Sequence, residues 1–321
     1  PAIIHEHDAA LQNLLDKQIT DPTHRGFGSY PDQWELYHCG AAANVLEQAV
    51  TGYVIPQSKF HQNKSLLQRM QWAVDFLVHN QSPDGSIDLL TTNFNSPPDT
   101  GFVVHHVATA AKLAVMAGED GIATIIKPFL IKAGSSMAAG GVHTPNHRWV
   151  VSAALAQIHE LYPDQSYLDR IDLWLSEGID IDEEGQFQER STTIYNAVSV
   201  NALVTMAAKL RRPQLLEPVR KNLDSMLYLL HPNFEVVTEI SRRQDINTRG
   251  TMHRYWFALR YMAILDQNGQ YASIVESMEP DRISLPALIE YPLIQKPLPK
   301  SVPPPDRYVK HFPLAEITHI R

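Results

Sequence analysis

Apolar residues in this chain recur at threes and fours, segment after segment, a period that dictates helices. In 65–80 the set is Leu66, Leu67, Met70, Trp72, Ala73, Val74, Phe76 and Leu77. The same pattern returns in 101–117, 121–138, 147–162, 191–210, 214–231 and 251–265, with further helices expected near 5–18 and 35–50. Alternation of the strand kind is scarce, and Phe234 to Ile240 is its best example. Asp99-Thr100, Thr144-Pro145 and Ser191 supply helix-start signals, while Gln81 to Gly85, Ala117 to Gly121 and Glu183-Glu184-Gly185 break the pattern.

The interval between helix starts says more than any single helix. Polar-decorated helices begin near Thr100, Pro145, Ser191 and Thr251, the first three roughly 46 residues apart, and one intervening helix fits in each gap. Hairpins of that length point alternate helices the same way. The fold expected is therefore all-α, an (α/α) toroid of helical hairpins with one series of helix N-termini around a rim. An open solenoid has the same spacing.

At 321 residues, with 44% hydrophobic and 19% charged residues, the chain has the composition of a folded protein rather than a disordered one. We expect a helical domain over 1–284. The segment 285–321, rich in prolines from Pro297 to Pro305, is expected to be an extended tail or a linker. Lys and Arg number 27 against 35 Asp and Glu, a net charge of -8 that argues against a nucleic-acid partner. It leaves room for a locally positive pocket and an acidic ligand. The single Cys39 excludes an internal disulfide framework, and no apolar run is long enough to predict a membrane span. The opening Pro1-Ala2-Ile3-Ile4-His5 has no leader pattern, so a leader is either removed or was never there.

Four polar groups stand at the helix starts. They are Asn93 to Gly101 leading to His105-His106, His143 to Trp149, Glu184 to Ser191 leading to Tyr195-Asn196, and Arg242 to Arg249 leading to His253-Arg254. Together they offer neutral donors, cations, a phenol and few carboxylates, and unpaired N–H groups at helix starts favour an anion. Such a set suits β-elimination from a uronic acid. Donors on the carboxylate disperse the charge of the enolate-like intermediate. A Tyr or His then takes the C5 proton, and a Tyr can return one to the departing oxygen. A free Tyr has a pKa of ~10, so a basic phenolate needs cations nearby, such as Arg249 or His147. Neither a metal nor another cofactor is called for. His143 and His147 stand four apart, but Pro145 between them puts His143 outside the helix, and the zinc-hydrolase pattern is missing.

Asn146-His147 at a helix start, followed by Gly185, Phe187, Glu189, Ser191 and Tyr195 in a Gly-x-Phe-x-Glu-x-Ser-x-x-x-Tyr arrangement, resembles the heparinase II/III-like polysaccharide lyases and related alginate lyases. The resemblance covers mainly 100–265. It implies a toroid followed by a β-sandwich domain not visible here, an acidic polysaccharide as substrate, and a secreted or periplasmic address. It makes Asn146 and His147 the carboxylate neutralisers and Tyr195 the catalytic acid, with the role of base left open between Tyr195 and another group and Glu189 positioning a neighbour or a sugar hydroxyl. The family's sandwich often supplies one more histidine, for which His253 and Arg249 are the stand-ins. His105, His106 and Trp149 complete the expected substrate-binding set.

Blander roles exist for each. His105-His106 fits a satisfied core pair, Asn146 a simple cap, Tyr195 a core aromatic, and Arg249 with His253 an ion-pair network around Asp245. Trp34, Tyr37 and Trp149 are large aromatics of the kind that packs between helices as often as it stacks on sugars. Two other functions compete with the lyase. One is a glycoside hydrolase, needing two facing carboxyl groups among Asp99, Glu189 and Asp245. The other is a helical domain that binds glycans without cleaving them.

Overall fold

The computed structural model describes residues 2–278 and 283–321. Twelve α-helices dominate the described residues: α1 (Ala2–Lys17), α2 (Cys39–Val54), α3 (Lys64–His79), α4 (Pro97–Met116), α5 (Asp120–Ala139), α6 (Pro145–Leu161), α7 (Gln165–Ser176), α8 (Tyr195–Leu210), α9 (Leu216–Met226), α10 (Trp256–Leu265), α11 (Gly269–Met278) and α12 (Leu285–Glu290). Two small antiparallel pairs complete it, β1 (Ile87–Leu89) with β2 (Asn93–Ser96) and β3 (Val309–Phe312) with β4 (Ile317–Ile320).

The chain divides into two compact units. In the first, residues 2–142, 151–172 and 285–290, α2 packs on α3 and α4, and α5 packs on α3 and α4. Its interior is small and close-packed, with Ala42, Ala43, Val45, Leu46, Val104, Ala110 and Ala111 fully enclosed. Only α5 among the described helices has the length and hydropathy of a membrane span, and half of it is buried in this unit. Cys39 opens α2, and burial, aided by the charge of Asp88, pushes its thiol up to about 12.

The second unit comprises 143–150, 173–278, 283–284 and 291–321 within the described residues, with α8 against α9 and α10, and α10 against α11. Its C-terminal β3–β4 hairpin is tied down rather than free. Tyr308 Oη donates to the Tyr228 carbonyl at 3.1 Å, and Phe312 is fully buried.

Local sequence explains the helix starts. Ser96 caps α4, and its hydroxyl donates to Asp99 three residues on while Pro97 and Pro98 fill the first turn. The helix thus begins before Asp99-Thr100, because the proline pair starts it. Pro145 opens α6. Ser191 accepts the Tyr195 N–H at 3.0 Å, although α8 proper starts only at Tyr195.

One five-residue turn recurs between helices. Asp32, Ser82, Asp182 and His231 each donate their N–H to the carbonyl four residues later, and each accepts an N–H from the residue three later. That later residue is Glu35, Gly85, Gly185 or Phe234, always with positive φ, at 57°, 98°, 84° and 63°. Successive turns lie about 50, 100 and 50 residues apart, so the periodicity of the helix starts is matched by the turns before α2, α4, α8 and α10. The link between α5 and α6, residues 140–144, lacks the turn. At Gly185 a Cβ would come within 2.3 Å of the Lys221 carbonyl oxygen, so only glycine fits.

The segment Phe234 to Ile240 forms isolated bridges, Leu230 to Val236 and Glu235 to Thr251, instead of the expected strand. Its backbone is spent on a loop: Val236 donates to the Gly250 carbonyl, Val237 to that of Leu229, and Ser241 to that of Thr238.

Candidate active site

The second unit gathers most of the polar residues singled out from sequence. Asp182 Oδ1 accepts the N–H groups of Glu184 and Gln186, at 3.0 and 2.9 Å, shaping the turn through Gly185. The turn sends Glu189 inward, where it is 7% exposed. Its Oε2 accepts the backbone N–H of Asn146 at 3.0 Å and also the Asn146 side-chain amide. Arg243 Nη1 stands 3.4 Å from the other oxygen of Glu189. The guanidinium of Arg243 in turn lies 5.0 Å from the centre of the Tyr195 ring. Gln244 Nε2 donates to Tyr195 Oη at 2.5 Å. A continuous chain of contacts therefore runs from Asn146 through Glu189 and Arg243 to Tyr195 and Gln244.

Chemically the chain is a carboxylate holding two N–H donors and a cation, with the cation over a phenol. A cation at the ring and a donor at the phenolic oxygen both stabilise negative charge there. Asn146 itself is almost completely buried, and its Oδ1 has no hydrogen-bond partner. His147 is half-buried beside it, with its ring edge-on to His143 at 4.7 Å between centroids.

Next to Tyr195 opens a cleft of about 620 Å³ lined by Ile194, Gln244, Arg249, Gly250, His253 and Arg254 among others. Gln244 both lines this cleft and binds the Tyr195 hydroxyl. The Arg249 side chain is 92% exposed, only loosely paired with Glu235 at 3.8 Å. The volume is in the range of small-molecule sites, roughly 300–1,000 Å³.

Other expected residues lie elsewhere or face inward. Trp149 is fully buried and donates its indole N–H to Asp180 at 2.8 Å, with Arg148 over its ring, so it packs instead of offering a face to a ligand. His105 and His106 belong to the first unit. His106 Nδ1 lies 2.8 Å from Glu47 Oε2, and the charge of Glu47 raises the pKa of the imidazole. His105 Nδ1 meets Gln157 Oε1 at 2.5 Å, and Gln157 reaches Thr109, which donates to Glu290. Asp99 answers the Ser96 cap of α4 in that unit. Trp34 is 69% exposed on the turn before α2. Among the described residues no three His, Cys, Asp or Glu side chains gather as a metal site.

Arg243 and Gln244 are the members that sequence reasoning passes over. They sit inside the fourth polar group, but no period or cap marks them out from Arg242 or Arg249. Only their contact with Tyr195, about 50 residues away in sequence, does so.

A solved polysaccharide lyase shares this arrangement of helices. It is the chondroitin AC lyase of Streptomyces coelicolor A3, determined in complex with chondroitin sulphate. It superposes with a TM-score of 0.66 over 95% of this chain at 13% identity. This chain spans 46% of that enzyme's length. The likeness establishes the fold, the all-α class of (α/α) hairpins that the spacing predicts. It does not single out the heparinase II/III-like branch. Neither a known family nor a curated protein matches the chain by sequence.

Proposed function

We propose that this chain is the helical part of a polysaccharide lyase that cleaves a uronic-acid-containing glycan by β-elimination. The observation that carries the reading is the contact chain from Asn146 and Glu189 through Arg243 to Tyr195 and Gln244. Tyr195 takes the C5 proton and passes one to the departing O4, so that a C4–C5 double bond forms as the C4–O4 bond breaks. Arg243 and Gln244 stabilise negative charge on the phenol during the transfer. His147 and Arg243 supply the donors that neutralise the substrate carboxylate, while the buried Asn146 spends its amide on Glu189 and holds that residue in place. His253 and Arg249 bind a neighbouring acidic group from the cleft wall. The partner is thus an acidic polysaccharide, met outside the cell or in the periplasm. The residue pattern from Asn146 to Tyr195 supports a heparinase II/III-like kinship within the lyases.

Incubation with a panel of acidic glycans tests the reading through the near-ultraviolet absorbance of the unsaturated product. Chain cleavage without that absorbance would replace the lyase with a hydrolase. The paired-carboxylate hydrolase is the weaker reading on the present geometry. Asp99 is engaged with its cap, Glu189 holds Asn146, and Asp245 is saturated with donors. Binding without any cleavage would favour the non-catalytic alternative.

A further inference from the structure

Asp245 is a buried carboxylate, 2% exposed, yet none of its hydrogen-bond donors is a cation. Ser191 Oγ donates to Oδ1 at 3.0 Å. The Thr193 N–H and Oγ1 donate to Oδ2 at 3.0 and 2.9 Å, and Ser241 Oγ adds a longer bond at 3.3 Å. Sequence reasoning pairs Asp245 with Arg249 and His253 instead. Burying a carboxylate without a counter-charge is costly, and charge-assisted hydrogen bonds of this number are what offsets it.

The placement of those donors is informative. Ser191 and Thr193 belong to the turn leading into α8, and Ser191 Oγ accepts the backbone N–H of Tyr195 itself. On the other side Asp245 is covalently next to Gln244 and two residues from Arg243, the two groups that touch the Tyr195 phenol. The same two stretches are stitched again by Thr192, whose N–H donates to Ser241 Oγ and whose hydroxyl donates to the Val237 carbonyl. Beneath them Tyr255 donates to the Thr192 carbonyl at 2.6 Å, and burial followed by the charge of Asp245 raises the pKa of that phenol.

We infer that Asp245 is the positioning residue for Tyr195, fixing the start of α8 through Ser191 and Thr193 while holding Arg243 and Gln244 in register with the phenol. Asp245 and Thr193 also line the cleft, but both carboxylate oxygens are already taken by these donors. The inference rests on Tyr195 being the acid and base of the proposed lyase. Loosening this clamp moves the phenol relative to its two partners, and misplacement of about an ångström costs on the order of 100-fold in turnover.

Two variants test it, Asp245→Asn and the milder Ser191→Ala, which removes one donor to Asp245 together with the acceptor of the Tyr195 N–H and leaves the Thr193 and Ser241 bonds in place. On a glycan that the wild type cleaves, both are expected to lower kcat at least ~10-fold with KM within ~3-fold. Independently of activity, ring-labelled tyrosine in the full chain is read by NMR, the Tyr195 signal being assigned with Tyr195→Phe. That signal should shift or broaden in both variants while tyrosines of the first unit, such as Tyr53, stay fixed. An unchanged Tyr195 signal in Ser191→Ala and in folded Asp245→Asn overturns the inference, as does a loss confined to KM. Should Asp245→Asn fail to fold, Ser191→Ala decides alone. Should the wild type cleave nothing, the lyase reading falls while the NMR result still judges the clamp.

Discussion

Tyr195 shows how little of a site a single residue defines. Its hydroxyl takes a hydrogen bond from Gln244 and its ring carries Arg243, so its chemistry is set by residues about 50 positions downstream. Under the lyase reading Tyr195→Phe should lower turnover by ~10²–10⁴-fold with the fold retained by circular dichroism. Retention of more than a tenth of the activity would move the proton transfer elsewhere. Asn146, Glu189 and Tyr195 are legible in sequence because caps and a spaced motif mark them. Gln244, Arg243 and Asp245 are not, since their meaning comes from tertiary contacts that no local period encodes. His106 carries a second test at this scale. Glu47 raises its pKa above the unfolded value, so the stabilisation is complete below about pH 6.5 and fades as the pH climbs through the raised value. Thermal unfolding of wild type and Glu47→Gln should therefore differ more at about pH 5.5 than at about pH 9. An equal gap at both would dismiss the ion pair.

At the scale of elements, the helices follow directly from period and caps, and their starts are displaced only where a proline pair or a turn intervenes. The recurrent five-residue turn was not legible, because its four copies share geometry without sharing residues: Glu35 and Phe234 stand where Gly85 and Gly185 do. The copies should differ in tolerance. Gly185→Ala forces a Cβ into the Lys221 carbonyl and should cost about 1–3 kcal/mol in denaturant unfolding. Glu35→Gly relieves a left-handed side chain but frees the unfolded chain, so it should change stability by less than about 1 kcal/mol. Equal effects would mean that the close approach at Gly185 is easily relaxed. The strand expected at Phe234 to Ile240 fails for a related reason. The sequence alternates there but burial does not, since Val236, Val237 and Thr238 are enclosed in succession by the loop.

For the molecule as a whole, a net charge of -8 and an acidic ligand would repel each other at a distance. Under the lyase reading, capture depends on the two arginines of the cleft, Arg249 and Arg254, with His253 beside them. Binding of an acidic oligosaccharide by Tyr195→Phe should weaken severalfold between about 0.05 and 0.3 M salt, and Arg249→Gln should flatten that dependence. Salt-independent binding, measured by calorimetry, would exclude the cleft as an anion site. The spacing of helix starts was enough to predict the class of fold. The division of the chain into two units was not foreseeable, since both are written in the same helical period and neither is one continuous stretch of the sequence.

Cys39 gives the protein a practical property. Its thiol is buried and pushed to about 12, so at neutral pH it is scarcely ionised and sheltered from electrophiles. The native chain is therefore expected to react only slowly with maleimides, which thiol titration of the folded protein checks. A second cysteine introduced at the exposed Ile246, next in sequence to the cleft-lining Asp245, would be the sole accessible cysteine for a fluorophore or spin label. Reporter chemistry could then follow ligand capture in otherwise unaltered protein.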